Sequence, residues 1–275
     1  MRGALSPDDL SRSATLGAAC VAVLETADPH AKAFAARKAA RDWRLRRLAH
    51  RFDVPPPERP ARPERPELLP PNQMPRRGRG GSERARIAML HALAHIEFVA
   101  IDLAFDMVAR FGTDFPATFA DDWMKVGADE AMHFALLDRR LRQLGSHYGA
   151  LPAHDGLWES AIETAHDVAA RLAIVPMVLE ARALDITPQT VARFNAFGDE
   201  TSAKALTRIM HDEVNHVQAG TKWFSWTMNR RGQNPQKSYQ NLVRQHFRGR
   251  LKAPFNDSAR DEAGLTRDFY EPLAH

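Results

Sequence analysis

The chain has 275 residues, of which 44% are hydrophobic and 26% are charged, and its formal net charge is +4. These values are typical of a soluble globular protein, and the length is sufficient for one large core or two modest domains. Such a mild positive charge does not by itself indicate a nucleic-acid partner. The single cysteine, Cys20, excludes an intrachain disulfide and a zinc site built on several thiolates.

The first residues give no indication of secretion or of a membrane partner. Pro7, Asp8 and Asp9 interrupt any apolar signal region. No apolar run approaches the roughly 18 residues of a membrane span. We therefore expect a cytoplasmic protein.

Residues 1–52 have helical spacing of apolar positions, and we expect an N-terminal helical extension of two helices. Asp28 is the expected cap of the second helix, because the proline that follows it suits the first helical position. Residues 53–81 form a proline-rich strap, since proline this dense makes neither helix nor central strand. It either docks on the surface or acts as a spacer; we predict a docked strap anchored by Leu68 and Leu69.

Five arginines lie in one short stretch around the end of this strap. They are Arg76, Arg77, Arg79, Arg84 and Arg86. A solvated linker and a phosphate-binding strip both explain such a stretch, so a nucleic-acid partner stays open.

Residues 82–231 contain four long segments with helical periodicity and clear ends. Glycine ends the first, second and fourth segments, and Pro116 begins the second. The expected helices span about 82–111, 116–145, 157–184 and 199–230.

Two prolines modify this pattern near the third helix. Pro176 should kink that helix, and Pro188 should start a short extra helix before the fourth. Residues 232–275 are polar, and we expect an irregular tail wrapped on the helices. No segment shows a convincing strand pattern. We therefore predict an all-α protein in which residues 82–231 form an antiparallel four-helix bundle of the ferritin-like class.

Each long helix carries a glutamate on its apolar stripe. These residues are Glu97, Glu130, Glu180 and Glu213. A carboxylate at such a position is costly unless it is paired or binds a metal ion. One of them can be a satisfied polar group of the core, but four on four consecutive helices indicate a shared site.

The second and fourth helices also contain Glu-x-x-His, which adds His133 and His216. Side chains three residues apart lie on one helix face and can reach the same ion. Two single glutamates and two Glu-x-x-His pairs are the ligand set of di-iron carboxylate bundles. In each half, the second glutamate follows the first by 33 residues, as in two similar hairpins. We predict two iron ions, with manganese or a mixed Mn/Fe pair as alternatives.

Two further histidine motifs are not expected to join this site. The motif Glu163-Thr-Ala-His166 lies about 25 Å from the third glutamate at 1.5 Å per residue, which indicates a surface role. His91 and His95 have the spacing of a zinc pair. His95 should nevertheless turn away from the glutamate face of its helix, which favours packing or support of the ligands.

Asp129 and Asp212 immediately precede the two Glu-x-x-His pairs. A metal-bound imidazole usually donates its second N–H to a carboxylate or carbonyl. Asp129 would then hold His216, and Asp212 would hold His133. The alternative is that both aspartates are solvated helix charges.

Six blocks spread over nearly the whole chain resemble a bacterial ferritin-like family carried as a domain of unknown function. The blocks are HALAHIEFVAIDLAFD, DWMKVGADEAMHF, YGALPAHDGLWE, RLAIVPMVLEARALD, DEVNHVQAGTKWF and PFNDSARDEAGL. The family pattern has glycine where this chain has Ala183, which affects no ligand. The metal motifs alone are similar to those of a non-haem di-iron enzyme that hydroxylates a modified adenosine in tRNA. The resemblance implies a fold and a metal site but no substrate.

The ligand set predicts a non-haem di-iron oxidoreductase that acts as an O2-dependent oxidase or oxygenase. Its substrate would be a small molecule or a modified nucleoside, and a separate reductase would donate electrons. Two alternatives stay open. One is a ferroxidase or metal-handling protein without an organic substrate, and the other is a structural or RNA-binding helical bundle.

Overall fold

The computed structural model describes residues 14–75 and 81–274. Within this part helices dominate, and β-structure is limited to three isolated bridges. The all-α prediction is therefore confirmed. The finer prediction of a ferritin-like bundle stays a prediction, as do the predicted segment boundaries. Arg76, Arg77 and Arg79, with the role predicted for them, lie outside the described residues.

In chain order the α-helices of the described residues are α1 (Leu16–Leu24), α2 (Pro29–Arg44), α3 (Glu83–Phe111), α4 (Ala117–Gln143), α5 (Gly156–Glu163), α6 (Val168–Ile174), α7 (Ala181–Ala196), α8 (Glu200–Arg230), α9 (Pro235–His246), α10 (Asp257–Glu262) and α11 (Arg267–Tyr270). A π-helical segment, Val175–Glu180, connects α6 to α7 and is called the π segment below.

The chain divides into two compact units. The first comprises residues 1–64 and 97–132, and the second comprises residues 65–96 and 133–275. Helices α1 and α2 belong to the first unit and α5 to α11 to the second, whereas α3 and α4 contribute residues to both.

Local capping signals set several helix ends, as predicted. Asp28 accepts a hydrogen bond from the Ala31 N–H at 2.7 Å and so caps α2. Asp199 caps α8 by accepting from the Ser202 N–H at 3.0 Å, and Arg140 donates to it at 2.9 Å. Burial of Asp199 opposes ionisation, but these bonds outweigh it and hold its pKa below the usual value. Gly232 follows α8 with a φ of +65°, as expected of a glycine that ends a helix.

The third predicted helix is not one continuous helix. It consists of α5, a break, α6 and the π segment, and α7 then continues to Ala196. The prediction that Pro188 starts a new helix is wrong, because Pro188 lies inside α7. Proline cannot donate to the carbonyl four residues earlier, which here belongs to Leu184. The side-chain amide of Asn256 donates to that carbonyl at 3.1 Å instead, so the helix can continue.

The C-terminal residues are partly helical, so the prediction of an irregular tail is wrong. Helix α9 packs against α6 and α8, and α10 packs against α7 and α8. The guanidinium of buried Arg260 donates to both carboxylate oxygens of Asp185 on α7, at 2.8 and 2.7 Å. Bidentate pairing of this kind fixes orientation as well as position.

Charged side chains and backbone hydrogen bonds fix the proline-rich strap. In the first unit, the Ala61 N–H donates to the Leu24 carbonyl at 2.8 Å, and buried Lys32 donates to the Ala61 carbonyl at 3.1 Å. Lys32 also donates to fully buried Asp102 at 2.5 Å, and Arg62 of the strap donates to the same carboxylate. The strap is therefore clamped to α2 and α3 within this unit.

The second half of the strap is held differently from the prediction. In the second unit, the Leu69 N–H donates to the Ala153 carbonyl at 2.8 Å. Leu68 is 39% exposed, so the prediction that its side chain anchors the strap is wrong. Among the residues of the strap that the structure describes, the buried ones are Pro60 and Pro66. Leu69 is half-buried, so its predicted contribution stays a prediction, and backbone pairing and prolines take the place of Leu68.

One helix, α3 with its short extension to Asp114, is long and apolar enough to cross a membrane by length and composition alone. The sequence prediction had not identified it. Its most apolar window is 67% buried inside the protein, and the same helix carries the buried acidic residues Glu97, Asp102 and Asp106. A core helix of a soluble protein has these properties. The cytoplasmic location stays a prediction.

Candidate metal centre

Four of the six predicted ligands come together in one buried group. Glu97, Glu130, His133 and Glu213 each offer one ligand atom, and these atoms all lie within 4.8 Å of one another. All four are buried, with no more than 5% of any residue exposed. Ligand atoms of one ion are separated by roughly 3–4.4 Å when each lies about 2.0–2.2 Å from the metal. The group can therefore hold a metal ion with only small side-chain shifts.

Helical periodicity explains why these side chains are buried. Glu130 and His133 are three residues apart on α4 and so share a face. On α8, Glu213 lies among the buried apolar residues Ile209 and Val217, four residues to either side. The ligands therefore occupy positions that would otherwise belong to an apolar core.

A neighbouring carboxylate orients the imidazole of His133. Its Nε2 lies 3.1 Å from Oδ2 of Asp212, and its Nδ1 lies 3.9 Å from Oε1 of Glu213. With the Nε2–H donated to Asp212, the lone pair is on Nδ1, which faces the glutamate. This is the contact predicted for Asp212. A carboxylate that accepts a hydrogen bond from one ring nitrogen commonly orients a histidine whose other nitrogen binds a metal.

Asp212 itself stays ionised near neutral pH. Its burial favours the neutral acid, but Arg208 donates to it at 2.8 Å and His133 is its second partner. These two interactions outweigh burial and hold the pKa of Asp212 below its usual value. The residue therefore presents a negative charge to the imidazole throughout the neutral range.

The other predicted site residues have different surroundings. Nδ1 of fully buried His216 lies 3.5 Å from Oε2 of Glu213. Glu180 is the half-buried last residue of the π segment. His216 and Glu180 are not part of the four-residue group. Asp129 accepts a hydrogen bond from Lys125, one turn earlier on α4, at 2.5 Å.

The π segment that carries Glu180 is supported by α8 and α9. Pro176 is its second residue, and a Cβ at Gly220 of α8 would lie 2.5 Å from the Cβ of that proline. Only glycine allows this close approach. The hydroxyl of buried Tyr239 on α9 donates to the Met177 carbonyl at 3.2 Å. Such π-helical turns recur at functional sites. The sequence analysis assigns no role to Gly220 or Tyr239, because neither contact has a local signal.

The donor set of the group fits a divalent transition metal. Three carboxylates buried this close together repel one another strongly in a low dielectric unless they are protonated or neutralised by a cation. Carboxylate oxygen and imidazole nitrogen together suit Fe(II), Mn(II) or Zn(II). A buried cluster of Glu and His residues is thus present that could hold a metal ion.

His91 and His95 have packing roles. His91 accepts a hydrogen bond from the Gly149 N–H at 2.9 Å, and burial lowers its pKa to about 4. His95 is hydrogen-bonded to the Tyr148 hydroxyl at 2.9 Å and to the His154 carbonyl at 3.2 Å. Both residues therefore hold the loop that precedes α5.

The third Glu-x-x-His motif lies on the surface, as predicted. Glu163 accepts a hydrogen bond from Arg248 at 2.6 Å, and the ring of exposed His166 lies 5.6 Å from that of His246. It provides a matched control for the buried motifs.

Comparison with known proteins gives a family but no activity. An uncharacterized protein of Haemophilus influenzae is 38% identical over 211 residues, which cover 74% of this chain and 73% of that protein. No solved structure matches this chain. The family described as "Protein of unknown function (DUF455)" matches residues 25–271, which include all six predicted ligands. The chain therefore belongs to this family of proteins of unknown function.

Proposed function

We propose that the protein holds a pair of iron ions and uses them with O2 to oxidise an organic substrate. The observation that carries this proposal is the buried group of Glu97, Glu130, His133 and Glu213, with ligand atoms within 4.8 Å of one another. Burying three carboxylates is strongly unfavourable for a merely structural core. A metal site explains their presence.

Glu180 and His216 complete the proposed six-ligand set. The set then has four carboxylates and two histidines, which is the composition of di-iron carboxylate sites in helical bundles. Two divalent ions would cancel the four negative charges while both histidines stay neutral. The predicted ferritin-like arrangement of the four helices is part of this proposal.

The residues of the chain would position and isolate this centre. Asp212 accepts a hydrogen bond from the Nε2–H of His133 and so keeps the lone pair on Nδ1, the nitrogen that would bind the metal. The buried apolar neighbours of Glu213 exclude water, which strengthens electrostatic interactions at the site. When bound, the iron pair supplies electrons to O2, and a reductase would restore them. A small molecule or a modified nucleoside is the proposed substrate.

Metal analysis of protein purified without oxygen tests the site. We expect about two irons per chain in the wild type, as the ligand count requires. Glu130→Gln and Glu213→Gln keep the side-chain shape but remove a ligand charge, and each should lower the metal content sharply. Glu163→Gln alters the surface Glu-x-x-His motif and should leave it unchanged. Equal metal content in all four proteins would exclude the site.

Admission of air to the iron-loaded protein separates oxidase from ferroxidase chemistry. If the proposal is right, oxidation should stop when the bound iron, about two per chain, has reacted. Continued oxidation of excess Fe(II), with ferric product accumulating, would favour the metal-handling alternative instead. Optical spectra recorded before and after air distinguish these outcomes.

A further inference from the structure

One long stretch of the second unit carries positive charge without any compensating acid in its own sequence. Residues 214–256 contain no aspartate or glutamate but eight lysines and arginines. All eight side chains are exposed. They are Lys222, Arg230, Arg231, Lys237, Arg244, Arg248, Arg250 and Lys252.

Neighbouring segments neutralise only part of this charge. Arg231 pairs with Asp167 at 2.7 Å, and Arg248 pairs with Glu163 at 2.6 Å. Arg244 and Arg250 have no carboxylate within 4.0 Å in the part of the chain that the structure describes. An excess of positive charge therefore remains at the end of α9 and just after it.

These two arginines line a groove of about 400 Å³. Its other side chains are the half-buried ring of Phe247 and three buried aliphatic residues, Val243, Leu251 and Leu273. The groove thus combines exposed guanidinium groups with an apolar floor.

A glycine shapes the groove beside Phe247. A Cβ at Gly249 would lie 2.7 Å from Cζ of the Phe247 ring, so the glycine lets this ring lie directly against the backbone that follows it. The ring of Phe247 therefore lies close to the backbone at the edge of the groove.

We propose that this groove binds a single strand of nucleic acid. Guanidinium groups bind phosphate oxygens, and sequence-tolerant single-strand sites combine a basic groove with aromatic rings that contact bases. Arg244 and Arg250 would contact phosphates, while one base lies against Phe247 and the aliphatic floor. This inference goes beyond the proposed oxidation and does not depend on metal.

An anionic membrane surface fits the same charge less well. Helices that bind membrane surfaces insert large exposed apolar side chains. Among the described residues, the large hydrophobic side chains that are exposed all lie outside 214–256. Charge without exposed apolar anchors favours a soluble polyanion.

Fluorescence anisotropy with a labelled RNA oligonucleotide of about 12 nucleotides tests the proposal, at about 50–300 mM KCl. Arg244→Gln/Arg250→Gln should raise Kd at least tenfold. It should also reduce the slope of log Kd against log salt by about 1.4, at about 0.7 per lost phosphate contact. The matched control, Arg139→Gln/Arg193→Gln, removes the same charge from exposed helix positions outside the groove and should change both quantities little.

The variant Phe247→Leu tests the contact with a base separately from the contacts with phosphates. It should weaken binding about fivefold or more with an unchanged salt slope, because no phosphate contact is lost. Melting temperature and metal content, recorded for every variant, identify any that fail to fold and separate this test from that of the metal site.

Two outcomes would overturn the proposal. In the first, the wild-type protein does not bind the oligonucleotide; if it then binds vesicles of phosphatidylcholine and phosphatidylglycerol, the surface is assigned to a membrane. In the second, the groove variants bind the oligonucleotide as tightly as the control does.

Discussion

Gly220→Ala tests whether the close approach of α8 to the π segment sets the geometry of the metal ligands. The new Cβ would lie 2.5 Å from Cβ and 2.6 Å from Cγ of Pro176. Ordinary carbon–carbon contacts are about 3.5–4.0 Å, so the two segments must separate by about 1 Å. The ring of Pro176 is closed onto its own backbone and cannot rotate away.

This separation should weaken both the core and the metal site. Overpacking costs about 1–3 kcal/mol, and alanine regains up to about 1 kcal/mol of helix propensity. We expect a net loss of about 1–2 kcal/mol, which lowers the melting temperature by roughly 2–8 °C. Glu180 ends the π segment, and Glu213 and His216 lie within two turns of residue 220. Metal affinity should therefore fall by about tenfold or more, as when a ligand-positioning contact is lost.

Thermal melting and anaerobic calorimetric titration with Mn(II) measure the two effects. Gly17→Ala is the control, because its Cβ would lie 2.9 Å from the Phe52 Cα, within the N-terminal residues. It should lower stability without changing metal affinity. If Gly220→Ala melts and binds Mn(II) like the wild type, glycine at this position does not set the ligand geometry.

Three further predictions concern single side chains. Asp212→Asn should weaken metal affinity about 10–100-fold with little change in melting temperature, because it loosens the imidazole of His133. Titration with Mn(II) measures the affinity, and an unchanged value would contradict this role. Asp199→Asn should cost stability at neutral pH. The folded-state pKa of Asp199 is lowered, so the stability that the wild type has over this variant should be complete above about pH 5. It should shrink as the pH falls below about 4. Urea unfolding of both proteins at several pH values measures this difference in unfolding free energy. Lys32→Met should lower the free energy of unfolding by about 3 kcal/mol, as measured with urea. This is the lower end for a broken buried ion pair, because Arg62 still pairs with Asp102. A decrease below about 1 kcal/mol would show that Lys32 contributes little to this clamp.

Local signals made most of the helical elements predictable. Asp28 before a proline and Gly232 after α8 act on their own helix ends, so they can be recognised without tertiary structure. Pro188 was misjudged because its effect depends on a distant side chain, Asn256, which occupies the carbonyl that proline leaves free. Helix α10 is likewise held by a long-range contact, the pair between Arg260 and Asp185.

The four residues of the buried group were predictable because they occupy a recognisable pattern along the chain. A glutamate on an apolar stripe, and a histidine three residues later, can be read from helical periodicity alone. Their supports could not be read in this way. Gly220 and Tyr239 act on a segment more than 40 residues away in sequence, through a close contact and a hydrogen bond.

Two contacts from α8 and α9 explain how the unusual backbone of the π segment is tolerated. A π-helical turn leaves backbone groups without their usual partners, which costs stability unless other groups compensate. Tyr239 compensates by donating to Met177, and Gly220 lets α8 pack directly on Pro176. A chain under selection for stability alone could remove both the turn and the buried carboxylates by using a regular apolar helix. Because the π-helical turn ends at Glu180, its presence favours selection for the position of that carboxylate, as the proposed metal centre would require.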